Sequence, residues 1–222
     1  MMTKYQEIIT PDGSKTLVNL DLNEVYHSRN GAVTESELVY IQNGLACFSG
    51  QQLNILEVGY GTGLNALLSF RKNRALHNLI DYHGLDVFPL PVSTMQMHDY
   101  LLQESIPDFS FSNATAAWEK CVSLSPDFRL TKHCVSIQDY ETTLLFDIVY
   151  FDAFSPEKQP EMWSLPVFKK LYDLMTEAAV LLTYSSKGIV KQALRDAGFS
   201  VERLPGPPPK HHVLRARKSI VK

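Results

Sequence analysis

An α/β fold, with a mostly parallel sheet and helices on both faces, is predicted by three features of the 222-residue sequence. Strand-like apolar runs alternate with helix-like segments after residue 50. The run Phe146-Asp147-Ile148-Val149-Tyr150-Phe151 is apolar on both faces, as a central parallel strand requires. Leu53-Asn54-Ile55-Leu56-Glu57 leads into Val58-Gly59-Tyr60-Gly61-Thr62-Gly63, a strand-to-helix turn with glycine at every second position. Glycines there permit positive φ and remove the Cβ atoms that would hold a ligand away from the backbone. The following helix points its free N–H groups and positive dipole end at the turn.

The elements follow in order. Residues 53–57 form the first parallel strand and 64–72 a helix with an apolar face. Residues 79–85 form the next strand, closed by Asp86. Residues 91–103 read as a helix opened by Pro91, a residue suited to a first helical turn. Residues 130–135 give a third strand ending near Gln138-Asp139, 146–151 a fourth and 178–183 a fifth. Residues 187–197 form a helix with Gly198 as its C-terminal cap. Residues 199–204 and 213–216 make two last strands around Pro205-Gly206-Pro207-Pro208-Pro209. The expected sheet therefore has seven strands. Residues 1–50 read as a small β-rich N-terminal extension packed on the core, with Leu17-Val18-Asn19-Leu20 as a strand. Residues 51–222 form the main domain, and 87–127 carry a helical insertion longer than a usual crossover.

Composition bounds the function. The chain has the length of one large domain and ordinary globular chemistry, 45% hydrophobic and 20% charged. No signal-peptide core or bilayer-length apolar run is present, and Cys47, Cys121 and Cys134 are odd in number with no C-x-x-C. A cytoplasmic protein with reduced cysteines and no metal site is expected. Net charge is −3, but from Lys187 onward nine basic residues face only Asp196 and Glu202, a local +7 that leaves −10 on the rest. That asymmetry suits either a polyanion-binding face or a solubilising tail.

The glycine spacing departs from the dinucleotide fingerprint G-x-G-x-x-G. Its third glycine comes one residue early, giving Glu-x-G-x-G-x-G, which resembles the S-adenosylmethionine loop of Rossmann-like methyltransferases. Three acids then end successive strands, where an open α/β sheet forms its ligand crevice. Glu57 precedes the glycines, Asp86 is placed to accept the ribose hydroxyls, and Asp139 to receive the adenine amino group. A further acid, Asp152, follows the apolar fourth strand at the crevice mouth. Amine methylation needs a free nitrogen lone pair. A carboxylate can hold the amine, accept its proton and stabilise the positive charge that develops on nitrogen. Phe154 and Trp163 offer stacking surfaces for a base or pack beneath the loop.

These residues are similar to a bacterial family, the tRNA 5-methylaminomethyl-2-thiouridine methyltransferases, found as one half of bifunctional MnmC proteins or standing alone. The resemblance covers Val25-Tyr26-His27-Ser28, Gly31-Ala32-Val33-Thr34-Glu35-Ser36, the 57–65 loop, Asp86-Val87-Phe88-Pro89-Leu90, and Asp152-Ala153-Phe154-Ser155-Pro156 through Pro160-Glu161-Met162-Trp163. It continues through Thr183-Tyr184-Ser185-Ser186-Lys187-Gly188, Ala197-Gly198-Phe199 and Pro205-Gly206. It implies a class I Rossmann-like methyltransferase with S-adenosyl-L-methionine as donor, the primary amine of a wobble uridine as acceptor, and Asp152 in the active site. Glu57, Gly59, Gly61, Gly63, Asn65, Asp86, Asp139 and Tyr26 would hold the donor. Phe154, Trp163, Ser185, Lys187, Lys210 and Arg215 would meet the anticodon stem-loop of tRNA. Pro209-Lys210-His211-His212 departs from the family's usual Gly then Lys-Arg-Glu near the final hairpin. With no flavin-binding oxidase half following, the chain is expected either to act on the aminomethyl form made directly by a separate upstream tRNA-modifying enzyme or to depend on a separate oxidase. An aminopropyltransferase shares the fold and the amine chemistry, and a non-catalytic RNA-binding module is the alternative of another class.

Overall fold

A computed structural model describes residues 4–91, 94 and 117–219. Tyr5–Ile9 (β1), Lys15–Asn19 (β2) and Glu24–Val25 (β3) make a small antiparallel sheet. The chain then turns helical. Ala32–Ser36 (α1) runs on into a π-helical stretch, Glu37–Gln42, whose wider turn is a form common at functional sites. The expected small β-rich extension is present as the β1–β3 sheet, and a helical stretch that was not expected follows it before residue 50. Ala32 and Ile41 bury themselves against Leu64 and Leu68 of the first crossover helix.

The main sheet has eight strands: Gln52–Val58 (β4), Leu79–Leu85 (β5), Cys121–Ser125 (β6), Phe128–His133 (β7), Phe146–Phe151 (β8), Met175–Thr183 (β9), Ser200–Pro205 (β10) and His212–Arg217 (β11). Their spatial order is β10-β11-β9-β8-β4-β5-β7-β6. β9, β8, β4, β5 and β7 are mutually parallel, while the β10–β11 hairpin and β6 join by antiparallel pairing. The eighth strand is β6, inside the stretch expected to be a helical insertion. Its Cys-Val-Ser-Leu-Ser sequence carries little apolar signal, and a two-residue turn, Pro126-Asp127, returns it to β7. That pairing also starts β7 at Phe128, two residues earlier than expected. The helix expected at 91–103 falls largely outside the described residues.

Helices Leu64–Leu76 (α2), Leu165–Asp173 (α3) and Gly188–Asp196 (α4) cover the sheet. Period-two alternation sorts the strand side chains. Leu56, Val149, Phe151 and Leu181 pack with Phe168, Val190 and Leu194 on one face, while Ile55, Ile148, Tyr150 and Leu182 pack with Ala66 and Phe70 on the other. Each such fully buried large side chain contributes about 1.5–3 kcal/mol. Gly198 closes α4 with φ 107°, the left-handed cap that the sequence anticipates. The chain leaves β4 toward β5 on one side and later pairs β8 on the other, so the topological switch point lies between β4 and β8.

Candidate active site

The carboxyl ends of β4 and β8 meet at this switch point. Val58 pairs with Phe151, and the Asp152 N–H donates to the Val58 carbonyl at 2.9 Å. The glycine turn and Asp152 are therefore neighbours by strand register alone. At Gly59 (φ 91°) a Cβ would lie 2.5 Å from the Asp152 carbonyl oxygen, so no other residue fits without parting the strands. At Gly61 (φ 51°) a Cβ would come within 3.0 Å of the Tyr26 ring.

Two cavities adjoin Asp152. The larger, about 410 Å³, falls within the ~300–1,000 Å³ range of small-molecule sites. Gly59, Gly61, Val58, Leu85, Asp86 and Ile137 line it, with Phe88 exposed at its rim. The smaller, about 110 Å³, lies between the N-terminal segment and the loops after β8 and β9, and its lining includes Glu24, Glu35, Tyr40, Tyr184 and Lys210. Tyr26, His27, Asp152, Ala153 and Phe154 wall both.

Asp152 is held from two sides. Tyr40 donates its hydroxyl to Oδ1 at 2.7 Å, and Asn65 Nδ2 donates to Oδ2 at 2.8 Å. His27 Nδ1 stands 3.9 Å from Oδ2, while its Nε2 meets Thr62 Oγ1 at 2.8 Å. Burial pushes the Asp152 carboxyl up to about 6, against the lowering effect of the Tyr40 and Asn65 hydrogen bonds. The result is a carboxylate more basic than usual yet still mostly ionised at neutral pH.

Several expected donor contacts lie one layer deeper. Glu57 is buried; its Oε1 accepts from Asn65 Nδ2 and its Oε2 from the Tyr82 hydroxyl, both at 2.8 Å. Burial raises its carboxyl well above the ordinary range. Asn65 thus bridges two carboxylates, positioning Asp152, and does not line the larger cavity. Gly63 serves packing, since a Cβ there would meet the Tyr60 hydroxyl at 2.7 Å. Replacing Asn65 by Ala should strip one donor from each carboxylate. We expect a loss of about 2–4 kcal/mol in urea unfolding and an upward move of the Asp152 midpoint in the pH–rate profile.

Asp86 does reach the larger cavity, accepting the N–H groups of Gly61 (2.8 Å) and Phe88 (2.9 Å). Asp139 does not. β7 ends at His133, and Asp139 is exposed in a turn where Ser136 Oγ donates to its carboxylate at 2.7 Å; Ser136 and Ile137 line the cavity in its place.

On the acceptor side Phe154 lines both cavities, its ring 5.1 Å from that of Tyr26 in an edge-on arrangement. Trp163 is buried, donating Nε1 to the Phe154 carbonyl at 2.8 Å and packing on Phe151 and Tyr184. It braces the loop and offers no face to a base. Ser185 is buried outside both linings. Lys187 pairs with Glu157, Lys210 with Glu35, and Arg215 with Glu202 at 2.8 Å. Arg215 lies outside both linings, its guanidinium also reaching the Asn43 carbonyl. Sequence reasoning passed over His27, Tyr40 and Glu35 as site residues. His27 and Glu35 lay inside segments that carry the family resemblance; Tyr40 has no local signal.

A family model described as S-adenosyl-L-methionine-dependent methyltransferase matches residues 104–219. Among curated relatives, the tRNA 5-methylaminomethyl-2-thiouridine biosynthesis bifunctional protein MnmC of Pseudoalteromonas atlantica is 29% identical over 218 residues, covering 88% of this chain and 31% of the relative. The Ralstonia nicotianae protein of the same name is 30% identical over 213 residues, covering 89% and 32%. The chain spans about a third of the length of these relatives. Among solved structures, MNMC2 from Aquifex aeolicus aligns with TM-score 0.71 at 23% identity, covering 98% of this chain and 73% of that one. Spermidine synthase from Thermotoga maritima aligns with TM-score 0.60 at 13% identity, covering 98% and 74%. The two structures support the fold.

Proposed function

Because the chain belongs to the S-adenosyl-L-methionine-dependent methyltransferase family, we propose that it methylates the primary amine of 5-aminomethyl(-2-thio)uridine at the tRNA wobble position, giving 5-methylaminomethyl(-2-thio)uridine. The observation that carries this reading is Asp152 in the common wall of two cavities, one of donor size and one small. The relatives' names supply the acceptor.

S-adenosyl-L-methionine is the donor, and when bound it supplies an electrophilic methyl on a positively charged sulfur that leaves as a neutral thioether. The residues fit it: Gly59 and Gly61 present bare backbone to the larger cavity, and Asp86 stands at its wall. The chain's own work is on the amine. In the smaller cavity Asp152 accepts a proton from the ammonium and frees the lone pair. Release of that proton to solvent returns the carboxylate, which then faces the cationic nitrogen that forms as the methyl arrives. Tyr40 and Asn65 hold the carboxylate through this change, and the apolar surroundings strengthen its attraction for the nitrogen.

On this reading residues 51–222 form the methyltransferase domain, and 1–50 an extension supplying Tyr26, His27, Glu35 and Tyr40. The acceptor is the anticodon stem-loop, a separate modifying enzyme supplies the aminomethyl group, and the reaction is cytoplasmic. No helix among the described residues is long and apolar enough to cross a membrane. For the aminopropyltransferase reading the structural likeness supports the fold alone.

The test is to incubate the protein with S-adenosyl-L-methionine and tRNA carrying 5-aminomethyluridine, then identify the nucleosides by mass spectrometry. The methylamino product is expected; an unchanged nucleoside despite donor binding sinks the proposal.

The phosphate contacts need reassignment, because Lys187, Lys210 and Arg215 are each engaged by an acid. Lys191 and Arg195 lie at i and i+4 on α4, with Arg203 beside them on β10, and among the described residues they have no ion pair. Their mutual repulsion shows in Lys191, whose ammonium Arg203 lowers. Replacing all three with Ala should weaken tRNA binding and flatten its log–log salt slope by roughly two to three. Donor affinity should stay unchanged. An unaltered slope places the RNA elsewhere.

A further inference from the structure

We propose that Glu35 is a second carboxylate for the acceptor amine and that Lys210 is its internal stand-in, displaced when substrate enters. The inference rests on the amine-methylation reading above and names what seats that amine. Glu35 is only 8% exposed, and among the described residues no uncharged donor reaches its Oε2. What faces it is the Lys210 ammonium, 2.5 Å away, brought from the loop between β10 and β11. A buried carboxylate requires a cation, because taking it from water unpaired costs several kcal/mol.

The chemistry of the pair identifies the visitor. The end of Lys210 is a methylene bearing a primary ammonium, and so is the 5-aminomethyl group. Lys210 Nζ also lies 4.5 Å from the centre of the Tyr184 ring, so the cavity offers a carboxylate and an aromatic face to one alkylammonium. Asp152 lines the same cavity and responds to both partners: Glu35 raises its carboxyl and Lys210 lowers it. Lys210 is about one-third exposed and can swing outward, whereas Glu35 is fixed in the wall. Exchange of one primary ammonium for another leaves the buried carboxylate paired throughout. The alternative, a permanent brace from the hairpin to α1, would make both residues equally necessary.

The two roles predict opposite signs for one substitution. Nucleosides carry no phosphates, so 5-aminomethyluridine and uridine are titrated by NMR into the protein saturated with S-adenosylhomocysteine. The wild type should prefer the amine. Glu35→Gln should reduce that preference by roughly ten- to a hundred-fold, the usual worth of a hydrogen bond to a charged group. Lys210→Met should increase it, because the internal competitor is gone. An unchanged preference in Glu35→Gln overturns the proposal. So does a loss in Lys210→Met, which remains decisive if Glu35→Gln fails to fold. A wild type without preference overturns it as well, whereas failure of the methylation reading is read separately, from the tRNA product.

Discussion

Asp152→Asn should lower the single-turnover rate of methyl transfer by ~10²–10⁴-fold, the range for loss of a positioned acid–base group. Donor affinity should be nearly unchanged. Asn keeps the size of the side chain; its Oδ1 can accept from Asn65 Nδ2, and its Nδ2 can donate to the Tyr40 oxygen when that hydroxyl turns to the Phe151 carbonyl, so the loss chiefly reports the negative charge. The pH dependence carries a sign. With the carboxyl raised to about 6, the active ionised form is lost as pH falls through that value. The wild-type rate should therefore rise with pH across about 6, and the Asn variant should lack that inflection. Its deficit should shrink at high pH, where more of the substrate amine is already neutral. A fully active Asn variant rules out the role. A deficit independent of pH would make Asp152 an orienting group, with water taking the proton.

Gly59→Ala should be nearly as damaging by a different route. The added Cβ meets backbone atoms, the Asp152 carbonyl oxygen at 2.5 Å and the Ala153 nitrogen at 3.1 Å, and neither can rotate aside. The residue is also held at φ 91°, a strain of order 1–3 kcal/mol for a side-chain-bearing residue. Relief requires the ends of β4 and β8 to separate, which moves the donor turn and Asp152 together. We expect donor affinity to fall at least ~100-fold and the melting temperature by about 4–10 °C. Gly188→Ala is the control: nothing lies within 4 Å of its Cβ position and it begins α4, where alanine is favoured. Unimpaired donor binding in Gly59→Ala would mean the larger cavity is not the donor site. Gly61→Val brings its Cβ against the Tyr26 ring at 3.0 Å, not against the β4–β8 backbone, but it places a β-branched residue at φ 51° and so strains the turn as well.

Much of this arrangement was legible in the sequence because it is set by local pattern. The apolar run of β8 and the glycine turn after β4 each announce themselves within a few residues, and parallel pairing brings their ends together. β6 was not legible: a short, half-polar edge strand has no periodic signature, and its pairing with β7 defines it. The strand-end acids divide for the same reason. Asp86 and Asp152 directly follow strands whose ends were placed correctly, whereas Asp139 lies six residues past the end of β7, where the chain has already turned. Trp163 looked like a stacking surface, but the 3₁₀ turn Pro160–Trp163 directs it into the core. The cage around Asp152 was hidden most deeply. Tyr40 and Asn65 lie 112 and 87 residues from it in sequence, and no spacing rule joins residues so distant.

The most direct test of the two-cavity account is a structure of the protein with S-adenosylhomocysteine and 5-aminomethyluridine bound together. The account predicts the adenosyl group against Gly59 and Gly61 in the larger cavity, and the amine nitrogen in the smaller one within hydrogen-bonding distance of an Asp152 oxygen. A nucleoside amine seated away from Asp152, or both molecules in the larger cavity, would contradict it.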